Sequence, residues 1–224
     1  MPQSLRILLQ SFIMMLWVAQ LLPAQVLATT NDDDEDAGAD SVTVLDRIST
    51  RLQQGEVFHA QMQHQFVDGF TGDEVLTEGE VWVAADGYKI ITDAQHISVQ
   101  DDVSTVYNLR EQKVIISTYY PEDDDFAPSR LLGSYSDRFS ITGVETPEEG
   151  YKRITLESTD PFEVITNARL LIDESSLLPV GMFAEDQTSN TYETSFSQGR
   201  FTALSETDFS LDWPEQAEII DLRE

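Results

Sequence analysis

Cysteine is absent from the whole chain of 224 residues. That absence removes disulfide scaffolds, thiolate metal sites and cysteine nucleophiles, and with them lipid attachment to a cysteine at a cleavage point. Histidine is scarce, with only His59, His64 and His96 in the sequence. His59 and His64 have opposite parity within one alternating segment, so they face opposite sides of a strand and cannot share a metal there. Basic residues are few, 13 Lys and Arg against 41 Asp and Glu, for a formal net charge of −28. A field of that sign repels nucleic acid and anionic bilayers. The acids are scattered along the chain, a pattern that suits solubility at high salt better than one docking face. Motifs that carry chemistry are missing too. There is no H-E-x-x-H and no Gly-Lys-Ser/Thr, and Gly133-Ser134-Tyr135-Ser136-Asp137 lacks the closing glycine of a nucleophile elbow. The expectation is a binding protein and not an enzyme, with no catalytic residue, cofactor or metal.

Long hydrophobic runs are absent except for residues 7–22, which follow Arg6 and precede the small-residue site Val26-Leu27-Ala28. This reads as a cleaved export signal over residues 1–28, since Gln10, Gln20 and Pro23 interrupt the run against a spanning helix. The expected location is a periplasm-like space. Two acidic clusters follow, Asp32-Asp33-Asp34-Glu35-Asp36 and Glu122-Asp123-Asp124-Asp125. The first fails as a calcium loop because its glycine, Gly38, comes one position late and its twelfth position is Thr43; residues 29–40 read as a disordered spacer. The second lies between Tyr119-Tyr120-Pro121 and Phe126-Ala127-Pro128, a loop whose flanks aromatic burial would tie down.

Residues 41–224 remain for one domain. Ser41 is placed to cap an amphipathic helix over residues 41–53, with Leu45, Ile48 and Leu52 on one face and Gly55 after its end. Alternation then takes over. In residues 57–66 the apolar Phe58, Ala60, Met62 and Phe66 alternate with mostly polar neighbours, the mark of a half-buried strand. Similar strands are expected at 80–84, 88–92, 96–100, 103–108, 113–117, 151–158, 162–173, 178–185 and 191–197, with turns at Asp86-Gly87, Asp101-Asp102 and Glu174-Ser175-Ser176. A short helix over residues 127–133 interrupts them, Pro128 near its start and Gly133 at its end. About ten strands with so little helix must curl. The predicted fold class is mainly β: a strongly curved antiparallel sheet forming an incomplete, half-open barrel, with short helices as plug and lid over an apolar cavity.

Several segments resemble, in order and spacing, the LolA-type periplasmic carriers of outer-membrane lipoproteins. They are Phe58-His59-Ala60-x-Met62 with Gln65, Gly79-x-Val81-Trp82-Val83, Asp101-Asp102 with Val106-Tyr107-Asn108, the stretch from Phe126 through Pro128 to Leu132, and Glu218-Ile219-Ile220-Asp221-Leu222-Arg223. The resemblance implies a monomeric carrier chaperone whose cavity takes up the acyl chains of lipoproteins. It implies an inner-membrane ABC-type release complex as donor and an outer-membrane acceptor as a candidate partner, with no nucleic acid. The cavity residues expected are Phe58, Met62, Phe66, Trp82, Tyr107, Leu170, Met182, Tyr192 and Phe196, with Leu45, Ile48, Leu131 and Leu132 from plug and lid. One departure stands out. The Arg-Pro pair that many members carry after the Trp-containing strand, which couples the lid to loading, is replaced by Ala85 and Asp86; Lys89 is the nearest cation. A rival reading is a periplasmic sensor of lipid or lipoprotein that regulates a membrane-bound signalling partner.

Overall fold

The computed structural model describes residues 37–223 apart from 122–123, 125–126, 162–163 and 206–207. The expected export signal, residues 29–36 of the expected spacer, and Glu122, Asp123, Asp125 and Phe126 lie outside the described residues. The chain begins with helix α1 (Ala37–Gln53). It starts at Ala37 instead of Ser41, so residues 37–40, expected in a disordered spacer, are its first turn. Strands β1 (Glu56–Val67), β2 (Glu74–Val83), β3 (Tyr88–Thr92), β4 (Gln95–Gln100), β5 (Val103–Asn108) and β6 (Lys113–Thr118) follow. Helix α2 (Pro128–Gly133) and a single 3-10 turn (Tyr135–Asp137) lead to β7 (Phe139–Glu145), β8 (Tyr151–Ser158), β9 (Ile165–Asp173), β10 (Leu178–Asp186), β11 (Thr191–Ala203) and β12 (Glu218–Asp221).

All twelve strands form one sheet, in the order β12-β6-β5-β4-β3-β2-β1-β11-β10-β9-β8-β7. Two meanders, β1 to β6 and β7 to β11, are joined where β1 pairs antiparallel with β11. Neighbours are antiparallel except for β12, which runs parallel to β6. The outermost strands, β7 and β12, do not pair with each other, so the sheet is an open half-barrel with apolar helices on its inner side. Two strands go beyond the expected set. In β7 the alternation of Phe139 and Ile141 slips at a bulge before Gly143, which hides the period. The four residues of β12 are mostly exposed and have no apolar face to read.

Local chemistry sets the turns and the curvature. Asp101 and Asp102 both have positive φ, 52° and 59°, which fits a two-residue turn whose twist matches that of the flanking strands. Further bulges interrupt β11 opposite Ala60 and the β9–β10 pair near Val180, and each one bends its strand. At Gly79 the backbones of β2 and β3 approach so closely that a Cβ would lie 2.2 Å from the Ile91 carbonyl oxygen. Only glycine fits there.

Alternation sorts the side chains into two covered faces. Inward-facing Phe58, Ala60, Val81, Val83, Ile154, Leu156, Ala168 and Leu170 form one continuous core with α1 and α2. The outer face is covered by residues 208–217, which lie between β11 and β12. Phe209 packs with Val57 and Ala84, and Trp213 and Ala217 pack with Tyr107 and Val114. The Ser98 hydroxyl donates to the Phe209 carbonyl at 2.6 Å and pins this strap. Replacing Gly79 with alanine is expected to force β2 from β3 and lower stability by about 2 kcal/mol or more, read from the urea midpoint.

Candidate functional site

The inner face of the sheet is the candidate site, and α1 and α2 lie over it. Leu45, Ile48 and Leu132 are 0% exposed and Leu131 is 1% exposed. The helical period places Leu45, Ile48 and Leu52 on one side of α1, and that side meets the strands. Full burial of a Leu or Ile side chain contributes about 1.5–3 kcal/mol, so hydrocarbon contact is the main force seating the plug.

Among the described residues, two polar ties hold α1 to α2 and to the 3-10 turn that follows it. The Ser49 hydroxyl donates to the Gly133 carbonyl at 2.5 Å, and the Tyr135 hydroxyl donates to Asp46 Oδ1 at 3.1 Å. Burial, then the Asp46 charge, pushes the Tyr135 phenol up to about 12, so it stays a donor. Gly133 rests on the β2–β3 turn, where a side chain would come 3.0 Å from the Ala85 carbonyl oxygen. Ala85, at the position where the resemblance implied arginine, is thus in contact with the end of α2. The loop before α2 is held by Asp124, whose Oδ2 accepts from Tyr88 at 2.6 Å and from Tyr119 at 3.1 Å. Burial, with the Asp124 charge behind it, raises the Tyr88 phenol well above its ordinary value. The acidic loop therefore carries a structural carboxylate. Among the described residues no group of three His, Asp or Glu side chains could hold a metal.

The expected site residues divide. Phe58, Met62, Leu170, Met182 and Phe196 lie in the inner core with Leu45, Ile48, Leu131 and Leu132, and Tyr192 packs against its margin. The Phe58 and Phe196 rings meet edge to face at 5.5 Å. Phe66 is half-buried beside Tyr192, ring centres 5.3 Å apart. Trp82 and Tyr107 are corrections, because both lie on the outer face. Strand parity decides it: Val81 and Val83 point inward, so Trp82 points out. There it stacks on His59 at 4.3 Å and receives the Lys89 ammonium 4.2 Å from its ring. Lys89 is therefore not a lid contact. Burial lowers its ammonium, opposed by Asp208, Asp212 and Glu80. Tyr107 is covered by Trp213 and Ala217 of the strap. Missed from the sequence were Tyr135, Asp46 and Ser49, which share no motif and meet only through tertiary packing.

One polar pair sits among the inner apolar residues. His64 Nδ1 and Thr194 Oγ1 share a hydrogen bond of 2.8 Å, and each residue is only 5% exposed. Met62 and Phe66 flank His64 at the same parity, and Met182 lies opposite Thr194. Burial pushes the imidazole from its ordinary 6.5 down to about 4, so it is neutral in the folded protein.

Two outcomes follow. Because the unfolded chain binds the His64 proton more readily, its contribution is full above pH 6.5 and is lost as pH falls toward about 4. The loss is on the order of 3 kcal/mol, and a His64→Gln variant is expected to show a flatter stability slope across that window in pH-dependent denaturation. Tyr135→Phe removes a hydrogen bond worth about 1 kcal/mol and is expected to speed hydrogen exchange in residues 128–137 ahead of the strands.

No protein-family model and no curated protein matches this chain. Solved structures do resemble it. An uncharacterized conserved protein from Thermus thermophilus superposes with a TM-score of 0.52 at 13% identity, covering 81% of this chain and 99% of that one. A LolA superfamily protein from Nitrosomonas europaea gives a TM-score of 0.43 at 10% identity, over 76% of this chain and 97% of its own. A putative outer membrane lipoprotein-sorting protein domain from Vibrio parahaemolyticus gives 0.41 at 16%, over 75% and 95%. Likeness at these identities concerns chain path and not activity.

Proposed function

We propose that this protein is a periplasmic carrier that shelters the acyl chains of lipoproteins against the inner face of its half-barrel, beneath α1 and α2. The observation that carries the reading is the chemistry of the plug. Leu45, Ile48, Leu131 and Leu132 place branched hydrocarbon on an apolar sheet face, with one hydrogen bond from α1 to α2 and one between α1 and the 3-10 turn after α2. An acyl chain offers the same kind of contact, at about 0.8 kcal/mol for each buried methylene. Guest and plug can therefore exchange at little net cost, which a carrier that both loads and releases requires. Met62 and Met182, both inner-face residues, adapt their shape to irregular guests. The donor in this reading is an inner-membrane release complex, and the guest is passed on to the outer membrane.

The experiment gives the purified protein to inner-membrane vesicles that bear a labelled triacylated lipoprotein and release machinery, then adds ATP. A soluble one-to-one complex is the expected result. If no complex forms while an acylated peptide still binds directly, the protein is a sensor of acylated ligands instead. Failure of both removes acyl binding altogether.

A further inference from the structure

Three of the large apolar side chains that the fold leaves in water belong to one hairpin, with Val75 and Leu76 on its opposite faces. Phe70 is 96% exposed, Leu76 59% and Val75 54%, and all three belong to the hairpin that joins β1 to β2. The turn presenting Phe70 is held in shape. Asp68 Oδ1 accepts from the backbone N–H of Phe70 at 2.9 Å and of Thr71 at 2.7 Å, while Asp68 N donates to the Asp73 carbonyl at 2.9 Å. Gly69 locks this turn to the neighbouring β10–β11 turn. Its N–H donates to Asn190 Oδ1 at 2.8 Å, and its α-carbon lies so close to Ser189 that a Cβ would meet that carbonyl oxygen at 2.3 Å. Asn190 in turn is gripped by the buried Asp186, through its side-chain amide at 2.8 Å and its backbone N–H at 2.9 Å. Phe70 thus stands on a braced platform, at a cost in exposed hydrocarbon that folding alone does not require.

The surroundings indicate what would cover it. Asp73, Glu74 and Glu78 are exposed around the apolar tip, and no Lys or Arg occurs between Phe66 and Trp82. Val75 lies opposite Phe66 on the same face of the sheet, so exposed apolar surface continues from Val75 to the half-buried Phe66. An acidic rim on a chain of net charge −28 opposes an anionic bilayer and a second copy of the same hairpin. We propose that the β1–β2 hairpin is a docking tip for a protein partner whose surface offers an apolar socket rimmed by Lys and Arg. This holds whether or not the inner face binds acyl chains.

The probe is a labelled amphipathic helical peptide of Leu and Lys, with a Leu and Glu twin, titrated against the full chain by fluorescence anisotropy. Wild type is expected to bind the Lys peptide and not the Glu peptide. Phe70→Asp adds a negative charge, so attraction by charge alone would tighten binding, whereas loss of an apolar anchor weakens it. The expected result is a weakening of about tenfold or more, with Ile219→Asp, an exposed apolar site on β12, leaving binding unchanged. Phe70→Ser and urea midpoints separate this effect from unfolding. No binding by wild type, or equal or tighter binding by Phe70→Asp, overturns the proposal. So does Phe70-dependent binding to phosphatidylcholine or phosphatidylglycerol vesicles, which would make the tip a membrane anchor.

Discussion

A single open sheet that is apolar on both sides must have both sides covered, and everything else in this protein follows from how that is done. A closed barrel would fill its own interior with side chains. Here β7 and β12 remain unpaired with each other, and bulges and the narrow approach at Gly79 bend the sheet around a space that its own side chains share with two helices. The helices cover the inner face. The strap of residues 208–217 covers the outer one, through Phe209, Trp213 and Ala217.

The two coverings differ in kind. The strap is continuous with two strands of the sheet, β11 before it and β12 after it, so detaching it would disturb the sheet itself. The plug is an N-terminal helix and a helix of one to two turns, seated by hydrocarbon, joined to each other by Ser49–Gly133 and to the following 3-10 turn by Tyr135–Asp46. Apolar contact is strong in sum but indifferent to the identity of its partner. The polar ties are specific but individually small. In the proposed carrier, such a combination would let one apolar occupant take the place of another while the shell keeps its shape.

Much of this architecture was legible in the sequence, for physical reasons. Alternation at Phe58, Ala60 and Met62 or at Ala168, Leu170 and Ile172 reports a wet and a dry face directly, and the helical spacing of Leu45, Ile48 and Leu52 reports a plug. Alternation does not say which dry face is which. Trp82 and Tyr107 were expected to line the cavity, yet the sheet has apolar residues on both sides, and their neighbours Val81, Val83 and Val106 hold the inward parity. The strap against which they pack, residues 208–217, has no period to betray it. His64 was legible as a polar residue on an apolar face; its partner Thr194, far along the chain, was not. Nor were the contacts of Tyr135 and Asp124, which exist only once loop and sheet have met.

In the proposed carrier, exchange of plug for guest would also have a thermal signature. Unsealing an empty apolar trough would wet hydrocarbon and raise heat capacity, whereas filling it as Leu45, Ile48 and Leu132 withdraw would leave the wetted area nearly constant. A container stoppered with its own aliphatic side chains would therefore load with little change in heat capacity, and its binding enthalpy would be nearly the same in cold and warm surroundings.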